Sequence, residues 1–285
     1  MAGHKTTLDI LRKYDLKPKK YLGQNFLIDD NINRFIVKAL GLSKDGAVLE
    51  IGAGLGELVN LIKEEASLVM AFEIDNDLCN LMRQRFDAEK KVEVFNQDIL
   101  STDLEELIKG RGFNEITIVG NLPYYISSAI IFHLINYRRL IKKVLIMLQL
   151  EVALRLVSEA GTKDYGILSC LLDYYARKKI IKKVKKSCFL PQPKVDSALV
   201  ELSFYKQPPI KVKDEDLFIK VIKTTFGQRR KTITNTLSNL MAEGADKKKT
   251  LEMLSNLGIN PAVRPEKLRV EDFGAISDKI AELKT

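Results

Sequence analysis

The chain predicts an α/β fold: a mostly parallel sheet with helices on both faces, an antiparallel hairpin at one edge, and a small helical domain after it. Three observations carry this expectation. From about residue 47 to 159, short apolar runs alternate with helix-length amphipathic segments, the pattern of a parallel sheet. The alternation then breaks, because 179–186 and 198–204 read as strands with no helix between them, only Pro191, Gln192 and Pro193. Beyond Pro208-Pro209 the periodicity is helical to the end. At 285 residues and 46% hydrophobic side chains, the chain has room for one large domain and a small second one. The boundary is expected at 205/206, giving a sheet domain over 1–205 and a helical domain over 206–285.

Each element has its own signal. Residues 1–45 read as a basic tail and a short helix over 29–40, which Asp29 or Asp30 could cap. A strand over 47–51 is followed by a helix over 57–66. A strand over 68–74 and a helix over 76–86 come next, then a strand over 92–95 ending in Asn96-Gln97-Asp98. The fourth strand is 116–119 with a helix over 126–134, and the fifth is 144–148 with a helix over 151–159. After the hairpin, helices are expected over 216–226, 232–241, 247–257 and 270–283, with Pro261 and Pro265 bounding the loop before the last.

Composition removes several function classes. No apolar run is long enough to span a membrane, and residues 1–20 are polar and basic, without a signal-peptide core. A cytoplasmic protein is expected. Cys79, Cys170 and Cys188 are far apart and form no Cys-x-x-Cys pair, and His4 and His133 are the only histidines. Neither a metal site nor a disulfide framework is expected. The formal net charge is +9, which favours a polyanionic partner. Three basic clusters contribute: Lys17, Lys19 and Lys20; Arg177 to Lys186; and Arg229-Arg230-Lys231.

Glu50-Ile51-Gly52-Ala53-Gly54-Leu55-Gly56 stands where the first strand turns into a helix, so its backbone can approach a ligand closely. Glu73 follows about 20 residues later, where Rossmann-like sites grip ribose hydroxyls. The spacing is G-x-G-x-G, not the G-x-G-x-x-G of dinucleotide sites. Glu50, Glu73 and Asp98 all fall at strand ends on one sheet edge. That acidic rim would repel a diphosphate and attract a sulfonium and an ammonium group. S-adenosyl-L-methionine is therefore the expected cofactor, with Asp98 accepting from its adenine amine. Gly52, Gly54, Glu73 and Asp98 are the residues so assigned.

Asn121-Leu122-Pro123-Tyr124 closes the fourth strand. Pro123 fixes its own φ and restrains Leu122 to extended backbone. The Asn121 side-chain oxygen and the Leu122 carbonyl then form two fixed acceptors beside an aromatic face. Together they suit a planar exocyclic amine such as adenine N6. An ordinary strand-to-helix turn would use similar residues, and the cofactor constellation is what tips the reading toward chemistry.

With these motifs in this order, the chain resembles the ribosomal RNA adenine dimethyltransferases of the bacterial KsgA type. Gly23-Gln24-Asn25-Phe26-Leu27, Met147-Leu148-Gln149 with Glu151, and Tyr165-Gly166 with Leu168-Ser169 match further family segments. So do Phe189 with Pro191, Pro193-Lys194-Val195-Asp196-Ser197 and Gln228-Arg229-Arg230-Lys231-Thr232. The resemblance implies a Rossmann-like class I methyltransferase. It implies dimethylation of N6 on two adjacent adenosines in the 3′-terminal hairpin of 16S rRNA, on a pre-30S particle. It adds Asn25, Leu27 and Asn121 to the cofactor site. Tyr125 departs from a second Asn in many members, and Gln192 from a Pro.

On this reading Asn121 holds the amine, Tyr124 stacks on one face of the base and Phe189 closes the other. Arg229, Arg230 and Lys231 are expected on RNA phosphates, although a solvated helix face would look the same. The protein is expected to act as a monomer, without a metal. An Erm-type enzyme acting on large-subunit rRNA shares these motifs, and an assembly factor whose methylation is incidental is a reading of another class. A DNA adenine methyltransferase typically has an acid at the first turn position, and an NAD enzyme has different glycine spacing.

Overall fold

The computed structural model describes residues 2–123, 126–238, 240 and 247–284. Tyr124 and Tyr125 lie outside the described residues. The chain forms two compact units, Met1–Ala153 with Lys179–Phe204, and Leu154–Lys178 with Tyr205–Thr285.

The first unit holds α1 (Ala2–Lys13), β1 (Phe26–Leu27), α2 (Asp30–Leu40), β2 (Ala47–Ile51), α3 (Glu57–Ile62), β3 (Leu68–Phe72), α4 (Asn76–Arg85) and β4 (Val92–Phe95). It continues with α5 (Leu104–Lys109), β5 (Ile116–Asn121), α6 (Ser127–Asn136), β6 (Ile141–Gln149) and the start of α7 (Leu150–Leu156). After α8 (Ile167–Tyr175) the chain adds β7 (Ala176–Val184), β8 (Phe189–Leu190) and β9 (Ser197–Phe204). The strand order in the large sheet is β4-β3-β2-β5-β6-β9-β7. Neighbours from β4 to β6 are parallel, and β6 pairs with β9 antiparallel. Every residue of β2 and β3 is buried, as expected for strands covered on both faces. The hairpin is present, with its second strand β9 inside and β7 at the edge.

The chain runs outward from β2 through β3 to β4, then returns to β5 on the other side of β2. That reversal makes a switch point between β2 and β5, where open α/β sheets bind ligands beyond the carboxyl ends of their strands. Helix starts follow local chemistry. Asp29 accepts from the Asn31 and Ile32 N–H groups at the start of α2, and Asp75 accepts from Asp77 N–H at the start of α4. The helix expected over 57–66 stops at Ile62, because Ser67 N–H must reach the Gly46 carbonyl for Leu68 to register against Ala47.

Two features of this unit were not expected. Residues 2–13 are helical, and Leu11 is buried with Phe26, Leu55, Leu78 and Leu81. A small antiparallel sheet also pairs Phe26 with Leu190 and Leu27 with Phe189.

The second unit contains α8 with α9 (Glu215–Gly227), α10 (Ile233–Leu237), α11 (Lys247–Asn256) and α12 (Val270–Lys284). Here the structure departs from a single cut at 205/206, because residues 154–178 join the helical unit. Aromatic packing explains this. Tyr174 lies 4.7 Å from Phe218, Tyr165 lies 6.0 Å from Phe226, and Phe226 lies 5.7 Å from Phe273. Such pairs add to the area they bury. The Tyr175 hydroxyl also donates to Glu215 at 2.7 Å.

The basic cluster over 177–186 divides by role. The Lys178 side chain is 7% exposed and donates to Asp173, to the Ser158 carbonyl and to the Ser169 carbonyl, at 2.8, 3.1 and 2.7 Å. Burial pulls its pKa down, against the pull of Asp173. It is a structural lysine and not part of a phosphate-binding face.

Candidate active site

The carboxyl ends of β2, β3, β4 and β5 and the segment before β1 enclose one cavity. Asn25, Leu27, Gly52, Gly54, Glu73, Asp98 and Asn121 all line it, together with Gln24, Phe26, Glu50, Leu122 and Pro123. Seven positions assigned from sequence, some of them nearly 100 residues apart, are thus brought together.

The glycine loop does what its composition requires. Gly54 has φ +57° and lies against the Phe26 ring, which a Cβ would meet at 3.2 Å. Its N–H donates to Glu73 Oε2 at 2.9 Å, and Glu73 Oε1 accepts from the Ile74 and Asp75 N–H groups at 2.9 and 3.0 Å. Three backbone donors therefore aim the Glu73 carboxylate. With two lone pairs on each oxygen, Oε2 keeps capacity for a ribose hydroxyl. Burial raises the Glu73 pKa, and the three backbone bonds oppose that rise.

Glu50 carries the greater electrostatic cost. It lies within β2, is 4% exposed, and its Oε2 has no hydrogen-bond partner. Burial first, and the Glu73 charge second, hold its pKa well above the usual carboxylate value. A buried acid that faces a cavity without a partner favours a cationic ligand there. Asp98 is exposed on the cavity wall, and its Oδ1 accepts from Leu100 N–H at 2.9 Å. Apolar walls come from Leu22, Phe26, Ile74 and Ile99. An acid for a cationic group, a ribose acceptor, a carboxylate on the wall for the adenine amine and an apolar slot fit S-adenosylmethionine.

The Asn121 turn is tied to the same cavity. Gly120 pairs with Ile51 across β5 and β2, so closely that a Cβ on Gly120 would lie 2.6 Å from the Ile51 carbonyl oxygen. Asn121 Nδ2 donates to the Asn25 carbonyl at 2.7 Å, and Asn25 Nδ2 donates to the Gly23 carbonyl at 2.9 Å. A carbonyl only accepts, so the Asn121 amide must face it with nitrogen and keep Oδ1 as its own acceptor. The Leu122 side chain is 1% exposed and anchors the turn in the core.

Three sequence assignments fare differently. Tyr124 lies outside the described residues. Phe189 is 2% exposed, sits in the core cluster opposite Leu27 and does not line the cavity. In this structure its ring packs in the core and is not presented to a base. Arg229 donates to the Lys163 carbonyl and lies 3.7 Å from Glu266, whereas Arg230 and Lys231 are exposed. The role of Gln24 was missed. It belongs to the motif before β1, but its bonds run to Lys19 and Asp75, contacts that no local spacing reveals.

Comparison with known proteins agrees with this geometry. The family model for ribosomal RNA adenine dimethylases matches residues 15–282. A relative called ribosomal RNA small subunit methyltransferase A, from Geobacillus thermodenitrificans (strain NG80-2), is 41% identical over 281 residues, covering 97% of this chain and 96% of its own. Its namesake from Geobacillus sp. (strain WCH70) is 42% identical over 277 residues, covering 96% and 95%. Among solved structures, a dimethyladenosine transferase from Plasmodium falciparum superposes with a TM-score of 0.75 at 25% identity, covering 90% of this chain and 96% of that one. The 23S rRNA methyltransferase ErmE gives 0.68 at 25% identity, covering 90% and 100%. With a family model matched from residue 15 to 282 and relatives of about 40% identity along nearly the whole length, the chain belongs to the ribosomal RNA adenine dimethylase family.

Proposed function

We propose that this protein dimethylates N6 of two adjacent adenosines in the 3′-terminal hairpin of 16S rRNA, acting as a cytoplasmic monomer on the pre-30S particle. The cofactor is S-adenosylmethionine, which supplies an electrophilic methyl group when bound. The observation that carries the reading is the Asn121 amide, fixed by the Asn25 carbonyl at the wall of the cavity that Glu50, Glu73 and Asp98 make acidic. Among the described residues no helix is long and apolar enough to cross a membrane.

An adenine amine is a poor nucleophile, because its lone pair is delocalised into the ring. The target base must first leave its stack. Asn121 Oδ1 and the Leu122 carbonyl would then accept the two N6 hydrogens, drawing the nitrogen toward a tetrahedral shape with its lone pair toward the methyl group. Tyr124 would stack on the base, a contact worth roughly 1–3 kcal/mol. Positioning carries the reaction, and the proton would leave to water after transfer. Arg230 and Lys231 would contact RNA phosphates, while Arg229 holds their loop to Lys163 and Glu266.

The likeness to ErmE supports a second reading, large-subunit rRNA. The higher identity of relatives named for the small subunit favours the first. The test is to incubate the protein with radiolabelled S-adenosylmethionine and either under-methylated small subunits or 23S rRNA, then map the label. N6,N6-dimethyladenosine in the 3′-terminal hairpin is the expected product. Label confined to 23S rRNA would replace this reading with the second.

A further inference from the structure

We propose that Lys19 is a positioning residue for the cofactor site, fastening residues 19–27 against the cavity through a clasp built on Asp75. The inference rests on the reading of that cavity as an S-adenosylmethionine site.

The clasp is closed by four hydrogen bonds. Lys19 Nζ donates to Asp75 Oδ1 and to Asp77 Oδ2, both at 2.7 Å. Lys19 N–H donates to Gln24 Oε1 at 2.7 Å, and Gln24 Nε2 donates to Asp75 Oδ2 at 2.7 Å. The loop between Lys19 and Gln24 is thus tied across its own ends, and both ends grip one carboxylate. Exposed ion pairs contribute little, but the Asp75 side chain is only 2% exposed. Burial raises the Asp75 pKa, yet the Lys19 and Gln24 bonds win and hold it below the usual carboxylate value. The same bonds to Asp75 and Asp77 push the Lys19 pKa up.

The connections outward give the clasp a consequence. Asp75 N–H donates to Glu73 Oε1, so the residue that anchors the clasp also aims the cavity acid. The fastened segment supplies Leu22, Gly23, Gln24, Asn25, Phe26 and Leu27 to the cavity lining. Its Asn25 carbonyl is the group that orients Asn121. Lys19 does not line the cavity, so its influence on ligand must pass through the segment it holds. Without Lys19 the segment would spend part of its time detached, and apparent affinity falls by the fraction attached.

The experiment uses the full chain with Lys19→Met, Lys19→Arg and, as a control, Lys44→Met, which removes an exposed ion pair with Glu65. S-adenosylhomocysteine binding is read by calorimetry, so RNA recognition does not enter. Amide exchange is followed over 19–27, and methyl transfer gives KM and kcat. Lys19→Met is expected to weaken binding about tenfold, the equivalent of about 1.4 kcal/mol. It should raise the cofactor KM by a similar factor, with kcat at saturating cofactor within twofold and faster exchange over 19–27. Lys19→Arg should recover most of the affinity, and Lys44→Met should match wild type. Wild-type affinity in Lys19→Met, or loss of kcat and thermal stability in step with affinity, would overturn the proposal. A wild-type protein that binds no S-adenosylhomocysteine would overturn the cofactor reading itself, and the clasp with it.

Discussion

Replacing Glu50 with Gln should make the protein more stable and a worse enzyme. Glu50 is 4% exposed, Oε2 has no partner, and burial together with the Glu73 charge raises its pKa well above the usual value. The sign follows from proton counting. A carboxyl whose folded pKa exceeds its unfolded pKa binds more protons folded than unfolded between the two values. Stability therefore falls as pH rises from near 4.5 through the raised folded value, by about 1.4 kcal/mol per unit at most. At neutral pH the acid opposes folding, and an uncharged amide of the same shape relieves it. Removing this cost should return roughly 1–3 kcal/mol. At roughly 2–4 °C per kcal/mol for a domain of this size, Tm should rise by about 2–12 °C.

The same substitution removes an attraction for the cofactor's cationic groups. Opposite unit charges about 4 Å apart at an effective dielectric of about 20 attract by about 4 kcal/mol. Ionising Glu50 on binding offsets part of this, leaving about 2–3 kcal/mol, or roughly thirty- to two-hundredfold in Kd. Calorimetric titration with S-adenosylmethionine in the absence of RNA at pH 6 and pH 8, beside thermal melts of the free protein, reads both effects. Wild-type affinity should strengthen with pH, and the Glu50→Gln variant should show little of that dependence. A variant less stable than wild type with undiminished affinity would refute the reasoning, because Glu50 would then be a satisfied structural group.

Asn121→Ala should lower methyl transfer at least a hundredfold while S-adenosylhomocysteine binding weakens only slightly, and Tyr124→Ala should do the same; single-turnover assays on under-methylated small subunits check both. Gly120→Ala forces a Cβ to within 2.6 Å of the Ile51 carbonyl oxygen, so the strands must part; a decrease of about 2 kcal/mol or more in denaturant unfolding is expected, with activity abolished. Arg230→Ala with Lys231→Ala should weaken RNA binding and reduce its log–log salt slope by about one for each phosphate no longer neutralised, leaving the melt unchanged. Arg229→Ala should instead lower thermal stability, since its guanidinium bonds within the helical unit.

What could be read from sequence divides by the range of the interactions. Strands β2 and β3 are buried on both faces and, Glu50 apart, apolar, so their existence followed from composition alone, and the Asp29 and Asp75 caps mark helix starts within three residues of themselves. The cavity residues were legible because a parallel sheet delivers every strand's carboxyl end to the same edge. Residues 154–178 were misplaced because an apolar helix can cover a sheet or join a bundle, and only the partners of Tyr165 and Tyr174 decide which. Phe189 is placed by register: opposite Leu27, its ring packs in the core, a position that no local spacing reveals. The Lys19–Asp75 contact spans 56 residues, and nothing in local spacing points to it.

The costs concentrated in this cavity have a common logic. Gly52 and Gly54 hold positive φ, Gly120 tolerates no side chain, Glu50 is buried without a partner, and Glu73 is buried as well. Each departs from what would stabilise the fold best, and each departure faces the same space. A β2–β5 contact tight enough to exclude a Cβ sets the distance between the glycine loop and the Asn121 turn, so on the proposed function methyl donor and target amine would meet on a rigid frame. The acids then discriminate, because a neutral or anionic ligand gives Glu50 no compensation for its burial. On this argument Glu50→Gln should narrow the gap between S-adenosylmethionine and uncharged adenosine, because it weakens the first and leaves the second nearly unchanged. Competition binding of the two nucleosides measures that gap directly. Equal losses for both would mean that Glu50 shapes the cavity and does not select for charge.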